Sequence, residues 1–293
     1  MHQTTFEAIG TRWWIEIFDN LDEIKSTAVF NSCAFLIQEF DKKYSRFKNN
    51  SVLTQLNTER IIENPDPEFV DLLLFGQRLF NRSNNKFNIL IGQVLESRGY
   101  DANYTFKASG ITPQIGNPNT DLIITDTKIE ILKGSIDNGG YGKGYLVDLV
   151  AEYLKAQGVQ FFLINAGGDM YVTSELGEPI TIHLEHPTKS RKRIGTTTLL
   201  NQGFAASSPF KRQWKINNET VSHIVNEGTE QFASYVKAET AGDADAFATT
   251  ALLTDADTLL KLATLENISI ARFSPTTGKL WATPTFSTQA NVN

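Results

Sequence analysis

The chain has 293 residues, of which 41% are hydrophobic and 20% charged, and its formal net charge at pH 7 is −6. This composition is typical of a globular protein with a sizeable core, and it excludes a disordered chain. The negative charge argues against nucleic acid as the main partner. No secretory signal and no apolar run of about 20 residues is present, so we predict a soluble, cytoplasmic protein without a membrane segment, or a periplasmic one if an export signal had preceded it.

Hydrophobic periodicity in the first half of the chain predicts short strands and amphipathic helices. We expect a strand over residues 11–18, helices over 22–40 and 67–82, and a hairpin of 122–125 with 128–132. Residues 44–57 are polar and predict a loop followed by a short helical turn, while 101–121 predict a surface loop.

The second half of the chain continues the alternation of helix and strand. It predicts a helix over 145–157, a strand over 160–165, β-structure over 171–199 and a strand or strand edge over 222–225. It also predicts a helix of small residues over 244–253 and a hairpin of 268–273 with 279–283. No internal repeat or linker interrupts this pattern. The sequence therefore predicts one α/β (α+β) domain over residues 1–293, with mixed sheets and packed helices.

Two glycine-rich turns flank the helix predicted over 145–157, one before the helix and one after the following strand. A P-loop is excluded because Gly144 follows Lys143 where a hydroxyl is required, and the glycine spacing also fails the dinucleotide fingerprint. Helix N-termini and the carboxyl ends of core strands nevertheless favour ligand binding. A turn without a ligand is the alternative, and Asp169 either orients a ligand or caps its own turn.

Asp245 and Thr249 lie four residues apart on a predicted helix, which places both side chains on one face. A carboxylate and a hydroxyl suit a hard divalent cation. In the alternative, Asp243 and Asp245 cap the helix and Thr249 bonds back along it. His223 lies beside apolar residues and is either structural or an acid–base group.

Six blocks of this sequence together resemble the ApbE family of FAD:protein FMN transferases. The pattern comprises Asp137, Gly140, Gly142, Lys143, Gly144, Tyr145 and Asp148, followed by Asn165, Gly167, Gly168 and Asp169. Blocks at 8–11, 44–57, 205–208, 222–225 and 244–249 follow the order that the family has. Because these blocks span nearly the whole chain, it is identified as a member of that family.

The resemblance implies a T-fold-like architecture and a transferase that attaches FMN from FAD to a Thr or Ser of an acceptor flavoprotein, with release of AMP. It implies Mg²⁺, or alternatively Mn²⁺, held by Asp245, Thr249 and the carbonyl of Gly142. His223 or Asp245 would be the catalytic base. The implied FAD-binding residues are Tyr44, Ser45, Phe47, Gly140, Lys143, Asn165, Gly167, Gly168, Asp169 and Ser207.

Several positions depart from the family pattern close to the implied site. Asn226 and Glu227 stand where the family has Asp-Pro, and Asn88 stands where it has the aspartate of Phe-Asp-Pro. Gly139 and Gly142 replace small residues, and Pro209 follows Ser208 in a turn that usually carries Gly. These departures leave two alternatives open, an FAD pyrophosphatase that forms FMN and AMP and a catalytically weak FAD-binding protein.

Overall fold

The structure, a computed structural model, describes residues 1–175, 177–216, 219–225 and 231–290, and the chain divides into two compact units. The first unit takes its described residues from Met1–Gln38, Lys143–Lys211 and Gly228–Asn293, and the second from Glu39–Gly142 and Arg212–Glu227. The departures at Asn226 and Glu227 lie outside the described residues. The single domain over 1–293 stays a prediction.

Both units contain helices and strands. The helices are α1 (Glu23–Tyr44), α2 (Val52–Glu59), α3 (Pro67–Arg82), α4 (Gly92–Ser97), α5 (Gly142–Ala156), α6 (Ala241–Thr250) and α7 (Ala256–Leu265). The strands are β1 (His2–Ala8), β2 (Thr11–Ile17), β3 (Ile61–Glu63), β4 (Leu122–Ile124), β5 (Lys128–Ile131), β6 (Phe161–Ala166), β7 (Asp169–Ser174), β8 (Ile180–Glu185), β9 (Arg193–Leu199), β10 (Gln202–Ser207), β11 (Gln213–Ile216), β12 (Glu219–Ser222), β13 (Ala233–Ala238), β14 (Ser269–Phe273), β15 (Leu280–Ala282) and β16 (Gln289–Ala290).

The first unit is built on an eight-stranded antiparallel sheet with the order β1-β2-β6-β7-β10-β13-β14-β15. In β2 the alternation of the sequence buries Trp13, Ile15 and Ile17 completely, as a strand with one face in a core requires. A smaller sheet of order β16-β9-β8 packs its Leu184 and Leu199 into the same core as Phe204 of β10. The predicted α+β class is confirmed, and the sheets are antiparallel.

Helix α6 is almost entirely buried within the first unit. Its run of small residues lets the backbone come close to β13, where the Ser234 hydroxyl donates a hydrogen bond to the Ala248 carbonyl at 2.5 Å. Thr240 begins the helix as its N-cap, accepting from the Asp243 N–H at 3.1 Å. The helix that carries the predicted metal ligands is therefore fixed along its length.

The second unit packs helices against a three-stranded sheet of order β3-β5-β4 and a hairpin of β11 and β12. Helix α3 shows the amphipathic pattern that the sequence predicts, with Pro67 in its first turn and Asp66 as N-cap. The Phe69 ring of α3 stacks on Tyr44 with ring centroids 5.2 Å apart. The described helices include none that is both long enough and apolar enough to cross a bilayer.

Four sequence-based boundaries need correction, one of which is the helix expected over 244–253, because α6 spans Ala241–Thr250. Helix α1 continues to Tyr44, so this residue ends a helix and does not begin a loop. Helix α5 begins at Gly142, which places Lys143 and Gly144 in its first turn. The strand expected over 222–225 is instead β12, which ends at Ser222. Glycines in a first helical turn resemble a loop in sequence, because glycine is unfavourable in helix interiors.

Candidate functional site: a lysine between two buried carboxylates, and an arginine among aromatic rings

Lys143, Asp169 and Asp245 come together in the first unit although they are far apart in the chain. The Lys143 ammonium forms an ion pair with Asp169 and reaches Asp245 Oδ2 at 3.5 Å. The side chain of Lys143 is 25% exposed, whereas those of Asp169 and Asp245 are 4% and 7% exposed. Burial lowers the pKa of Lys143, but the charges of Asp169 and Asp245 outweigh it and raise that pKa above its usual value.

The backbone of α5 holds the Asp245 carboxylate from a second direction. The Gly144 N–H donates to Asp245 Oδ2 at 3.1 Å. A Cβ at Gly144 would overlap the Ala241 carbonyl, so only glycine permits this close approach of the first turns of α5 and α6. The suggestion that Asp245 caps its own helix is wrong, because its carboxylate faces Lys143 and Gly144.

Asp148, one turn further along α5, caps the N-terminus of α6. Its two carboxylate oxygens accept from the Ala241 and Gly242 N–H groups, each at 2.8 Å. Burial raises the pKa of Asp148 to about 7, against the opposing effect of these two donors. Asp148 therefore positions the helix that carries Asp245 and Thr249, a role absent from the sequence-based list of site residues.

The second glycine turn, between β6 and β7, places Asp169 at the start of β7. Asn165 Oδ1 accepts from the Gly168 N–H at 2.9 Å and closes the turn. Gly167 and Gly168 have φ values of +68° and +113°, which residues with a Cβ rarely adopt, and a Cβ at Gly167 would overlap the Thr11 hydroxyl. The turn is therefore built for glycine, and Asp169 pairs with Lys143.

Thr249 and Ser207 also belong to the first unit. Thr249 is half-buried one turn after Asp245 on α6, and the bond back along the helix is made by Thr250, whose hydroxyl donates to the Ala246 carbonyl at 2.9 Å. Ser207 ends β10 opposite Ser234, whose hydroxyl donates to the Ser207 carbonyl at 3.4 Å.

The donor set of this unit fits a hard divalent cation. Asp245 offers a buried carboxylate and Thr249 a hydroxyl on the same helix face, as Mg²⁺ prefers. The described residues contain no group of three or more His, Cys, Asp or Glu side chains suited to a metal. An ion here would accordingly complete its shell with backbone, water or phosphate oxygens, which is the usual behaviour of Mg²⁺.

In the second unit, Arg46 is buried and forms an ion pair with Asp137 at the start of the first glycine turn. Asp137 also accepts from the Gly139 N–H at 3.1 Å through its other oxygen. Asn138 donates from its side chain to the Tyr44 carbonyl at 2.8 Å. These contacts fasten the turn that contains Gly140 to the segment of Tyr44 and Ser45.

An aromatic cluster surrounds Arg46. Its guanidinium lies over the rings of Phe47 and Tyr100, at 4.2 and 5.0 Å from their centroids. The other members of the aromatic cluster pack against these two rings at centroid distances of 5.0 to 6.2 Å, and they are Tyr104, Trp214 and His223. Phe106 extends the cluster through Trp214, at 5.2 Å. The cluster brings the predicted residues Phe47 and His223 together through Tyr100.

The hairpin of β11 and β12 is tied to this cluster by polar contacts. Arg212 donates to the Tyr100 hydroxyl at 2.9 Å, and the Trp214 indole N–H donates to the Arg98 carbonyl at 2.7 Å. The His223 Nδ1 atom lies 3.5 Å from the Arg212 carbonyl. Sequence reasoning missed Tyr100, Tyr104 and Trp214, and the aromatic residues Tyr104 and Phe106 of the predicted surface loop were the available signal.

The structure thus brings together one group of predicted site residues in each unit. In the first unit, Lys143, Asp169 and Asp245 contact one another, with Asn165, Gly167 and Gly168 forming the adjoining turn. In the second unit, Tyr44, Ser45, Phe47, Gly140 and His223 lie in or beside the segments that surround Arg46. Gly142 begins α5, and its carbonyl stays a predicted ligand.

A sequence model of the ApbE family matches residues 9–273 of the chain. Among curated proteins, the FAD:protein FMN transferase of Haemophilus influenzae is 22% identical over 290 residues, covering 90% of this chain and 84% of the relative. That of Klebsiella pneumoniae (strain 342) is 21% identical over 245 residues, covering 77% of this chain and 69% of the relative.

Solved structures carry the same fold. The ApbE protein of Thermotoga maritima superposes with a TM-score of 0.85 at 18% identity, covering 97% of both chains. The flavin transferase ApbE of Vibrio cholerae superposes with a TM-score of 0.78 at 18% identity, covering 97% of this chain and 98% of that one.

Proposed function

The chain belongs to the ApbE family, and from this premise we propose that it is an FAD:protein FMN transferase. The names of its relatives support this function. The observation that carries it is the meeting of Lys143 and Asp169, from the two glycine-rich turns, with Asp245 from the 244–249 block. A purely structural role would not require two buried carboxylates beside a lysine whose side chain is 25% exposed.

The proposed reaction transfers the FMN half of FAD to a hydroxyl of a second protein. The oxygen of an acceptor Thr or Ser attacks the phosphorus on the FMN side of the diphosphate. A phosphorus–oxygen bond to the acceptor forms while the bond to the AMP phosphate breaks, and AMP leaves with the electron pair. The hydroxyl proton passes to a base, for which His223 and Asp245 are the two candidates.

Asp245, Thr249 and the Gly142 carbonyl would hold Mg²⁺, or Mn²⁺ in its place. The bound ion would supply charge neutralisation at the diphosphate and the leaving AMP. The role of Lys143 is to add positive charge near the phosphates. Asp148 keeps α6 in position through the Ala241 and Gly242 N–H groups, so that the Asp245 carboxylate stays fixed before substrate binds.

The remaining residues would bind FAD. The aromatic cluster offers ring faces and a cation of the kind that planar heterocycles stack on. Phe47 belongs to this cluster, and Tyr44, Ser45 and Gly140 lie in the segments fastened beside it. In the other unit, Asn165, Gly167, Gly168, Asp169 and Ser207 complete the predicted FAD-binding set.

The test combines the chain with FAD, Mg²⁺ or Mn²⁺, and a flavoprotein domain that carries a Thr or Ser acceptor. We expect covalent flavin fluorescence on the acceptor in a denaturing gel and one AMP for each flavin attached. An acceptor whose Thr or Ser is replaced by Ala is the control for the site of attachment. Absence of covalent flavin from the intact acceptor at every metal concentration would contradict the proposal.

The same assay separates the two alternatives. AMP released from FAD without any acceptor, and abolished in Asp245→Ala, would identify a pyrophosphatase in which water replaces the protein hydroxyl. Tight FAD binding without AMP release under any condition would identify a flavin-binding protein. His223→Asn tests the histidine as the base, because loss of the base removes the pH dependence of turnover while the proposed metal ligands stay intact.

A further inference from the structure

We propose that Lys143 is an internal counter-ion that competes with the divalent cation for Asp245, so that the metal binds firmly only when the diphosphate draws Lys143 away. This inference rests on the proposed function, because it takes Asp245 as a metal ligand. It goes beyond that function by giving the lysine an inhibitory role before substrate binds and by predicting that metal and FAD bind cooperatively.

The geometry places the ammonium where it neutralises two carboxylates at once. Lys143 forms an ion pair with Asp169 and lies 3.5 Å from Asp245 Oδ2. Both aspartate side chains are more than nine-tenths buried, so water screens these charges poorly. A cation that approaches Asp245 therefore meets a positive charge already paired with its ligand.

Lys143 also has the freedom to leave. Its side chain is 25% exposed, and its position in the first turn of α5 lets the long side chain turn without moving the helix. Asp169, the closer of its two carboxylate partners, holds the ammonium when Asp245 is engaged elsewhere. Asp245 itself stays fixed, because the Gly144 N–H donates to it from the backbone at 3.1 Å.

The energetic consequence is positive coupling between two ligands. An anionic diphosphate attracts the ammonium and so relieves the repulsion that opposes the metal, while the metal relieves the repulsion between the carboxylates and the diphosphate. Coupling of this kind is reciprocal, so each ligand raises the affinity for the other by the same factor.

The experiment measures Mn²⁺ binding by electron paramagnetic resonance or calorimetry, with and without FAD, in the wild-type chain and in Lys143→Gln. We expect the Mn²⁺ dissociation constant without FAD to fall roughly tenfold in the variant, because a unit charge close to the ligand is removed. The factor by which FAD strengthens Mn²⁺ binding should shrink correspondingly. Equal or weaker Mn²⁺ binding by a folded Lys143→Gln would overturn the inference.

Two control variants isolate the charge. Lys143→Arg keeps the positive charge and should bind Mn²⁺ as weakly as the wild type in the absence of FAD. Lys155 lies on the same helix, and its ammonium pairs with Glu152 at 2.8 Å and not with Asp169 or Asp245. Lys155→Gln should therefore leave Mn²⁺ binding unchanged. Tighter binding in Lys155→Gln would show a general charge effect and would also overturn the inference.

A measurement on the wild-type chain keeps the inference testable if Lys143→Gln fails to fold. Amine labelling followed by mass spectrometry should show greater modification of Lys143 when Mn²⁺ is bound, with Lys155 as the internal reference. Unchanged labelling under conditions where Mn²⁺ is bound would overturn the inference. A wild-type chain that binds no Mn²⁺ even with FAD would instead contradict the proposed metal site, so the two failures are distinguishable.

Discussion

The two units build their candidate sites in contrasting ways. In the first unit, Asp245 and Asp148 each accept hydrogen bonds from backbone N–H groups at the start of a helix, so regular structure fixes the charges. In the second, Arg46 has one carboxylate partner, while its two terminal nitrogens are buried without a hydrogen-bond partner among the described residues. The first site therefore depends on backbone geometry, whereas the second depends on one ion pair among aromatic rings.

The largest effect on stability is expected from breaking that ion pair. Arg46→Leu leaves the Asp137 carboxylate, whose side chain is 11% exposed, without its cation. Removing one partner of a buried pair typically lowers the free energy of unfolding by about 3–5 kcal/mol. Urea denaturation followed by circular dichroism measures the change.

Arg78→Leu is the matched control for this variant. Arg78 is also an arginine of the second unit that lies near an aromatic ring, 5.8 Å from the Phe75 centroid, but it is exposed. We expect its replacement to change the free energy of unfolding by less than about 0.5 kcal/mol. Similar losses of stability in the two variants would show that the second unit does not depend on the ion pair of Arg46 with Asp137.

The next largest effect is the pH dependence of stability that Asp148 causes in the first unit. Burial raises the pKa of Asp148 to about 7 in the folded chain, so folding favours the protonated carboxyl. The stabilisation that Asp148 adds to the free energy of unfolding is therefore fully present below the unfolded pKa of about 3.9, and it is lost as pH rises through about 7. Over this range the free energy of unfolding falls by up to about 1.4 kcal/mol per pH unit.

Asp148→Asn should remove this slope. Urea denaturation at pH 5, 6 and 7 compares the two chains, and the wild-type free energy of unfolding should fall relative to that of the variant as pH rises. Parallel pH profiles would show that the two backbone donors hold Asp148 ionised in the folded state throughout this range.

The smallest effects come from a pair of helix caps, one in each unit. Thr240 caps α6 and Ser51 caps α2, where its hydroxyl accepts from the Thr54 N–H at 3.0 Å. Each substitution by Ala should cost about 1 kcal/mol of stability. Thr240→Ala should also weaken Mn²⁺ binding, because α6 carries Asp245, whereas Ser51→Ala should not. Equal Mn²⁺ affinity in both variants would show that metal binding does not depend on how firmly the N-terminus of α6 is held.

The same contrast explains how much the sequence could predict. Lys143, Asp169 and Asp245 were predicted because they stand in spaced family blocks, and most strands and helices followed from periodicity. The start of α5 differs from the prediction because Gly142 and Gly144 resemble a turn, while the role of Gly144 is to let two helix ends approach. That role depends on Ala241, about a hundred residues away in the chain, and local pattern does not reveal it.

The second site was harder to predict for a physical reason. Tyr104 and Phe106 stand in an irregular segment rich in Asn, Gly and Pro, where no periodicity assigns a face to a side chain. Arg46 was read only as part of a motif, because nothing local indicates that its guanidinium is buried against Asp137. The packing of these aromatic rings and the burial of Arg46 depend on contacts between distant segments, which a single sequence does not reveal.

The most direct test of the central claim, that the carboxylates beside Lys143 belong to a flavin-transfer site, is covalent flavinylation of an acceptor domain by the wild-type chain and by Asp245→Asn. Asp257→Asn, which alters an exposed aspartate in the first turn of α7, is the matched control. We expect flavin attachment and equimolar AMP with the wild type and the control, and a rate lower by roughly 10²–10³-fold in Asp245→Asn. Flavinylation by Asp245→Asn at the wild-type rate would contradict the claim.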